Sequence, residues 1–381
     1  MEFTATVKDL KKTMSIVALA VGEGSENITG HALFDINDNQ VFLYATDNDK
    51  MGVAYLPVSN IDGDNVQFTV DPKRIQKLIS GSNSDTIKFV YDKETKTLNV
   101  YASENSDSFV SFASFEPENF LSFDKDIQEA KEIKTVDATI FLSGIKFIQG
   151  FLPDNDTNKK YSNLYLVNGT MYGSNGSFKV GAFEGAGLQD TNITIRRAML
   201  SAIGSLIDLS GSVEIMLSET EKITVISTKD QLYSFAFRKV SITPPKFPLS
   251  IGVPESDSFN IDRSLMLKKL NRLSLASKDE VGIKMVVNGS DLSMETIADR
   301  KSYEKMTCKR LIGDQPMEFV MECNKLRSTL GFFEAPSVDV CVDKTRCIIY
   351  SKATVSIKEE GKEPVSRDFT AVGLLAIAKV L

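Results

Sequence analysis

The side chains that most often carry enzyme chemistry and metal binding are scarce in this sequence. Its 381 residues include no tryptophan, four cysteines and one histidine, His31. One histidine argues against Ser-His and Cys-His nucleophile pairs and against most zinc sites. The cysteines stand singly at 308, 323, 341 and 347, so we expect reduced thiols, with a Cys341–Cys347 disulfide as the weaker alternative. We therefore predict no catalytic residues, no cofactor and no metal.

Several motifs and long apolar runs are also missing. There is no GxxxxGK[ST] phosphate loop, and the glycines of 181–187 lack the spacing of a dinucleotide fingerprint. Asp35, Asn37 and Asn39 resemble the start of a calcium loop, but the later glycine and acid are absent, so we predict a hairpin turn. No apolar run approaches the about 20 residues that cross a bilayer, and the first residues alternate like a strand instead of a signal peptide. We expect a cytoplasmic protein without a membrane segment.

The order of predicted helices and strands recurs three times. Each third has a first helix with one apolar side: KDLKKTMSIVALAV (8–21), DATIFLSGIKFIQGF (137–151) and DRSLMLKKLNRLSLAS (262–277). A second helix begins near Pro72, Arg196 and Asn324, and corresponding starts lie about 125 to 130 residues apart. Alternating strand segments lie between and after the helices, and Asn-Gly pairs at 168, 175 and 288 favour hairpin turns. The sequence predicts an α+β protein whose thirds each read β-α-βββ-β-α-βββ.

Two connectors rich in proline and serine separate the thirds. They are SFEPENFLSFDKD (114–126) and VSITPPKFPLSIGVPESD (240–257), and their composition favours extended chain. We predict three domains, with limits at 1–125, 126–255 and 256–381.

Positive charge is concentrated in the predicted helices. The six helical segments hold 15 of the 44 lysines and arginines but only 5 of the 51 acidic residues, in a chain with a formal charge of −7. Lysine on the solvent side of an amphipathic helix is a sufficient explanation for any one helix. It explains less well why the six segments together are so basic, because solvated helix faces usually carry charges of both signs. A basic surface on an acidic protein favours a polyanion as partner, and duplex DNA is the leading candidate.

The chain resembles the bacterial-type β sliding clamps, which tether replicative DNA polymerase to its template. The resemblance spans the whole chain and rests on MEFTATVKDLKKTMSIV, YATDNDKMGVAYL, FTVDPKRIQKLIS and FVMECNKLRSTLGFF, of which the YATD-type turn is the most specific. It implies three clamp domains per chain and a head-to-tail homodimer that forms a six-domain ring. It also implies a processivity factor without enzymatic activity, which encircles duplex DNA regardless of sequence and binds DNA polymerase and the clamp loader through short peptide motifs.

The resemblance also assigns two groups of site residues. The basic helices line the hole of a clamp, so the candidate DNA-facing residues are Lys11, Lys12, Lys73, Arg74, Lys77, Arg196, Arg197, Lys268, Lys269, Arg272, Lys325 and Arg327. The candidate partner-peptide pocket consists of Tyr161, Ser174, Gly176, Phe178, Pro248, Cys347, Val372, Leu374 and Leu375. The sequence departs from the family here: the basic residue usual after the turn glycine is displaced to Lys179, and the second connector lacks the usual arginines.

A clamp-fold scaffold that does not encircle DNA, and instead serves transcription or other DNA-processing machinery, is the alternative hypothesis. The divergent pocket and the segment 137–151, whose only cation is Lys146, favour it. The two hypotheses differ in behaviour: a topological ring leaves circular DNA only after linearisation, whereas a scaffold held by charge dissociates from either form in salt.

Overall fold

The computed structural model describes residues 1–22, 27–103, 106–120, 123–155, 158–185, 187–247, 257–276, 282–297, 301–343, 346–357, 365–376 and 379–380. The chain forms two compact units: unit 1 is Met1–Ala138 with Ala198–Val240, and unit 2 is Thr139–Arg197 with Ser241–Leu381. The middle third thus contributes to both units, and the domain limits near 125 and 255 stay predictions. Among the described residues, no helix is long and apolar enough to span a membrane.

All six predicted helices are present, and the described residues contain one more. The helices are α1 (Val7–Ala18), α2 (Pro72–Ser80), α3 (Asp124–Gln128), α4 (Ala138–Gln149), α5 (Arg197–Ser210), α6 (Arg263–Leu273) and α7 (Cys323–Gly331). The additional helix, α3, lies in the first connector, so the prediction of a wholly extended connector is wrong. The physical reason is that Phe123 and Ile127, one helical turn apart, pack on the same apolar cluster.

The strands repeat in the predicted order. The first third contains β1 (Glu2–Thr6), β2 (Ala32–Asn37), β3 (Gln40–Thr46), β4 (Lys50–Leu56), β5 (Val58–Asp62), β6 (Val66–Val70), β7 (Thr86–Asp92), β8 (Thr97–Tyr101) and β9 (Phe109–Ala113). The second contains β10 (Lys131–Asp137), β11 (Asn163–Val167), β12 (Thr170–Ser174), β13 (Lys179–Gly185), β14 (Ile193–Arg196), β15 (Glu214–Glu219), β16 (Ile223–Thr228) and β17 (Tyr233–Arg238). The third contains β18 (Ser258–Asp262), β19 (Gly282–Asn288), β20 (Asp291–Ile297), β21 (Tyr303–Thr307), β22 (Lys309–Ile312), β23 (Met317–Glu322), β24 (Ser337–Val342), β25 (Arg346–Ile357), β26 (Val365–Ala376) and β27 (Lys379–Val380). The α+β class is therefore confirmed, with β5, β22 and the two-residue β27 as additions to the predicted order.

Each unit contains two antiparallel sheets. Unit 1 has the orders β5-β1-β7-β8-β9 and β10-β15-β16-β17-β4-β3-β2-β6; unit 2 has β14-β11-β12-β13-β26-β25-β24-β18-β22 and β21-β20-β19-β23-β27. Each larger sheet contains strands from two of the three repeats. In one sheet β17 of the second repeat pairs with β4 of the first, and in the other β26 of the third repeat pairs with β13 of the second. In the repeat, β9 of the first third corresponds to β17 and β26, and β21 of the last third corresponds to β4 and β13. Strands β9 and β21 are the outermost strands of the two smaller sheets.

The predicted Asn-Gly hairpins are present. Asn168 and Gly169 have φ of 49° and 86° between β11 and β12, a left-handed conformation that these two residue types adopt at low cost. The pairs at 175 and 288 also connect paired strands. Asp38 and Asn39, with φ of 48° and 61°, form the tight turn between β2 and β3, which confirms a hairpin at the calcium-loop-like segment.

Phenylalanine dominates both cores. In unit 1, Phe34 stacks on Phe68 and Phe3 stacks on Phe89, each pair with 4.9 Å between ring centroids, and all four side chains are fully buried. In unit 2, Phe147 contacts Phe151, Phe183 and Phe333. Full burial of each such side chain contributes about 1.5–3 kcal/mol. Helices α1 and α2 bury their apolar sides and leave polar side chains such as Lys11 and Lys73 exposed.

Candidate nucleic-acid and partner surfaces

Helices α1 and α2 of unit 1 present lysines on their solvent sides. Thr6 caps α1 by accepting a hydrogen bond from the Asp9 N–H (3.0 Å), and Asp71 caps α2 by accepting from the Lys73 N–H (2.9 Å). Burial of residues such as Leu10 and Ile75 fixes the rotation of the two helices. The lysines at 11, 73 and 77 are therefore exposed, and none forms an ion pair with a described residue.

The other two candidate cations of these helices are engaged. Lys12 Nζ donates to the Ser210 carbonyl oxygen (3.1 Å) and lies 4.4 Å from the Tyr233 ring centroid. Arg74 keeps 65% of its side chain exposed, with Nε 3.4 Å from Asp71 Oδ2. Arg74 can therefore still reach a phosphate, whereas Lys12 mainly stabilises the fold.

The candidate cations of α6 and α7 in unit 2 are mostly paired. Lys269 Nζ lies 2.7 Å and Arg272 Nη1 3.5 Å from the Glu304 carboxylate. The hydrogen bond from Lys269 is the largest cause of the lowered pKa of Glu304. Lys268 is exposed and, among the described residues, has no ion pair. Arg272 is 71% exposed, so Lys268 and Arg272 form the accessible part of this cationic surface.

Lys325 and Arg327 of α7 are held by their neighbours. Lys325 pairs with the Glu322 carboxylate and lies 4.3 Å from the Phe178 ring centroid. Arg327 Nη1 donates to Asn271 Oδ1 (3.1 Å) and Ser274 Oγ (3.2 Å), which ties α7 to α6.

The two candidate arginines of the middle third also face protein. Arg197 Nη1 donates to the Asp154 carbonyl oxygen at 2.6 Å, and Arg196 has buried Nε and Nη2 atoms. Both guanidinium groups thus serve the packing around β14 and the start of α5, and we leave them out of the surface proposed for DNA.

One face of the nine-stranded sheet carries an apolar cluster, here named the unit 2 face. Its buried members are Val180, Ala182, Tyr350, Val372 and Leu374, with half-buried Tyr172, Phe247 and Ile348 packed against them. The strand register explains the grouping, because Val372 lies opposite both Ala182 and Tyr350. Phe247, from the second connector, stacks on Tyr172 with 4.9 Å between centroids and 6° between planes.

Three of the predicted pocket residues belong to this side of the sheet. Val372 and Leu374 are members of the cluster, and Ser174 lies opposite Val180. The Ser174 hydroxyl donates to the Lys179 carbonyl oxygen (2.9 Å) and accepts from the Gly176 N–H (3.0 Å), so it closes the turn after β12.

Other predicted pocket residues lie elsewhere. Cys347 pairs with Leu375, one position out of phase with Ile348 and Leu374, so both side chains point to the opposite face of the sheet. The displaced basic residue, Lys179, also points there and donates to the Gly150 carbonyl oxygen at 2.7 Å, and burial lowers its pKa. The sequence did not predict the following members of the cluster: Tyr172, Val180, Ala182, Phe247, Ile348 and Tyr350. The available signal was the spacing of two residues between Val180 and Ala182 and between Ile348 and Tyr350, which places each pair on one side of a strand.

The turn residues of the predicted pocket lie at the edge of this region. Gly176, with φ of 78°, leaves room for the Tyr161 ring, which a Cβ at that position would contact. The Lys325 ammonium of α7 lies over the Phe178 ring. Pro248 lies outside the described residues.

Unit 1 contains a corresponding apolar cluster, the unit 1 face. It joins Met51 and Val53 of β4 to Ile223, Val225 and Ala236 of β16 and β17, and Phe123, Ile127 and Ala130 from the first connector pack on it. Phe123 is only 5% exposed; its N–H donates to Met51 Sδ (3.1 Å), and the Arg238 guanidinium lies 5.1 Å from its ring centroid. The chain therefore fills the unit 1 face with its own α3.

The outermost strands β9 and β21 expose apolar side chains. Phe109 and Val110 of β9 are 52% and 46% exposed, and Tyr303 at the start of β21 is 62% exposed. An unpaired strand edge flanked by exposed apolar side chains is a template for pairing with another chain.

Nothing in the described part of the chain forms a metal site, since no group of three His, Cys, Asp or Glu residues comes together there. All four cysteines are free and buried. Cys341 lies opposite Ile348 and Cys347 opposite Val342, so Cys341 and Cys347 point to opposite faces of the sheet and cannot form the alternative disulfide without rearrangement.

Structural comparison identifies proteins with the same fold. No family model and no curated protein sequence matches the chain. A putative DNA polymerase III β subunit from Eubacterium rectale aligns with a TM-score of 0.78 at 14% identity, over 99% of both chains. The β subunit from Thermotoga maritima (TM-score 0.77, 14% identity) and that from Pseudomonas aeruginosa (0.78, 13%) each align over 100% of both chains. Over its full length, the chain therefore has the fold of the bacterial DNA polymerase III β subunits, the sliding clamps.

Proposed function

We propose that the protein is a DNA sliding clamp: a homodimeric ring that encircles duplex DNA without sequence specificity and tethers a DNA polymerase. The observation that carries the proposal is the pair of outermost strands, β9 and β21, whose outer edges pair with no other described strand. Their counterparts are joined within the chain, β17 to β4 and β26 to β13. Pairing of β9 in one copy with β21 in the next would form a third joined sheet of the same kind. Two such contacts between two copies would close a head-to-tail dimer.

The cationic helices support DNA as the partner. Lys11, Lys73, Arg74, Lys77, Lys268 and Arg272 are exposed on three helices of a chain with net charge −7. Lysine and arginine on flexible side chains attract phosphates through water without reading bases, which suits a protein that must slide. Ring closure would retain the protein on DNA, and we propose no chemical reaction; the site of action would be the cytoplasm, with the DNA.

The unit 2 face supports partner binding. Tyr172, Ile348 and Phe247 are half-buried there, so part of this apolar surface is reachable from solvent. The unit 1 face shows the kind of segment that such a surface accommodates, because Phe123, directly before α3, and Ile127 of α3 fill it. We propose that a short apolar peptide of DNA polymerase or of the clamp loader binds at the unit 2 face.

Solution mass tests the ring. Light scattering across a dilution series should give about 84 kDa, twice the 42.1 kDa of one chain. Val110→Glu should shift the equilibrium to monomer, because it places a charge where β9 would pair. Val58→Glu, on the opposite edge strand of the same sheet, is the matched control and should leave the mass unchanged. A wild-type monomer at every concentration would contradict the ring and favour the scaffold that does not encircle DNA.

A further inference from the structure

The three helix pairs of the chain differ sharply in charge. Helices α1 and α2 carry six lysines and arginines and one acid, and α6 and α7 carry six and none. Helices α4 and α5 of the middle third carry two, Lys146 and Arg197, and one acid, Asp208. The net charges of the pairs are thus +5, +6 and +1, although all three pairs occupy the same place in the repeat.

The surroundings of the middle helices sharpen this difference. Arg197 donates to a backbone carbonyl oxygen at 2.6 Å, which leaves Lys146 as the exposed cation of the pair. Lys146 lines a cavity of about 220 Å³ between α4 and the end of α7, whose walls include Phe147, Phe183 and Phe332. Glu334 lies on the same rim, so the surroundings of Lys146 are aromatic and mixed in sign, a poor environment for a phosphate.

The first pair offers the opposite arrangement. Lys73 and Lys77 are one turn apart on α2, both exposed, and α1, which presents Lys11, packs beside it. Among the described residues none of these three has a carboxylate partner. Three unpaired ammonium groups on adjacent helices form a surface that duplex phosphates can neutralise, with counterion release as the driving force.

We infer that the contact with DNA is uneven: the helices of the first and third repeats bind the phosphate backbone, and the helices of the middle repeat contribute little to that binding. This inference rests on the proposed ring. There the first repeat of one copy adjoins the third repeat of the other, so the cations gather around the two subunit junctions. DNA would be attracted to two arcs of the hole, with weakly charged arcs between them.

Two exposed lysines test the inference. Lys77 lies in the last turn of α2, the second helix of its repeat, and Lys146 in the last turn of α4, the first helix of its repeat. Lys77→Gln and Lys146→Gln therefore remove the same charge from the same part of a helix in different repeats. The measurement is the slope of log K against log salt for binding of the full-length protein to linear duplex DNA, followed by fluorescence anisotropy. Linear DNA is chosen because it reports phosphate contact without topological retention.

Lys77→Gln should reduce the magnitude of this slope by about 0.9 for each lost phosphate contact, hence by up to about 1.8 when both copies of a dimer are altered. Lys268→Gln should also reduce it, and Lys146→Gln should change it by less than about 0.3 on the same scale. An effect of Lys146→Gln equal to that of Lys77→Gln, or no effect of Lys77→Gln, would overturn the inference.

Failure of the clamp proposal is recognisable separately. Wild-type protein assembled on nicked circular DNA should survive a high-salt wash whatever the distribution of phosphate contacts. Retention on circles together with equal slopes for the two variants would overturn the uneven contact and leave the clamp intact. Loss from circles in salt would overturn the clamp itself.

Discussion

Replacing Phe123 or Phe247 with alanine should destabilise the protein to very different extents. Each phenylalanine comes from a connector and packs on one of the two corresponding apolar faces. Phe123 is 5% exposed, beneath a guanidinium and with its N–H bonded to Met51 Sδ. Its removal creates a cavity in a covered cluster, so we expect Phe123→Ala to lower the free energy of unfolding by about 3–5 kcal/mol.

Phe247 should matter less for stability. It is partly exposed, so it gains less than the full 1.5–3 kcal/mol of burying such a side chain, or about 1–2 kcal/mol. Its stacking on Tyr172 adds about 0.5–1.5 kcal/mol. We therefore expect Phe247→Ala to cost about 2 kcal/mol in total.

Guanidinium unfolding followed by far-UV circular dichroism measures both losses, since the chain has no tryptophan to report by fluorescence. Two transitions are to be fitted separately if the units unfold independently. Equal losses, or a larger loss for Phe247→Ala, would refute the reasoning that the chain seals the unit 1 face and leaves the unit 2 face as the accessible one.

Three further predictions concern single residues. Burial is the main cause that lowers the pKa of His31, so folding favours its neutral form. The free energy of unfolding should therefore be fully maintained above the unfolded-state pKa of about 6.5 and decline as the pH falls below it. In NMR, the single imidazole resonance should titrate below about 6.5. A midpoint above 6.5 would contradict this. Burial raises the pKa of Cys341 to about 11, so its alkylation at pH 8 should be slow in the native protein and fast after denaturation. The mass of the denatured, alkylated protein should show four modified thiols. Fast labelling of the native protein would contradict the burial of Cys341. Asp71→Ala should cost about 0.5–2 kcal/mol through loss of the α2 cap, while Asp71→Asn retains most of it, and thermal unfolding that ranks the two variants in the reverse order would exclude the capping role.

The fold could be predicted in large part because its signals are local. Apolar residues at helical spacing and capping residues such as Asp71 and Asp262 mark the helices, and Asn-Gly pairs mark the hairpins. Helix α3 could not be predicted, because its five residues are stabilised by packing on β4 and β16 and not by their own preference. The additional edge strands β5 and β22 likewise depend on pairing with β1 and β18, which are distant in sequence.

The candidate sites were less predictable for two physical reasons. Strand β26 carries buried apolar residues on both of its sides, so composition does not reveal that Leu374 and Leu375 point in opposite directions. A cation's availability also depends on distant partners: Lys12 is held by a carbonyl oxygen 198 residues away, and Lys269 by Glu304. The sequence therefore predicts which helices are basic, and the structure decides which of their charges remain accessible.

Retention on DNA tests the central claim most directly. The protein is assembled on nicked circular duplex DNA, washed in about 1 M salt, where the screening length falls to about 3 Å, and measured before and after the circle is cut once. A ring held by topology predicts that the protein stays on the circle through the wash and leaves when the DNA becomes linear. Equal loss from circular and linear DNA during the wash would contradict the sliding-clamp account.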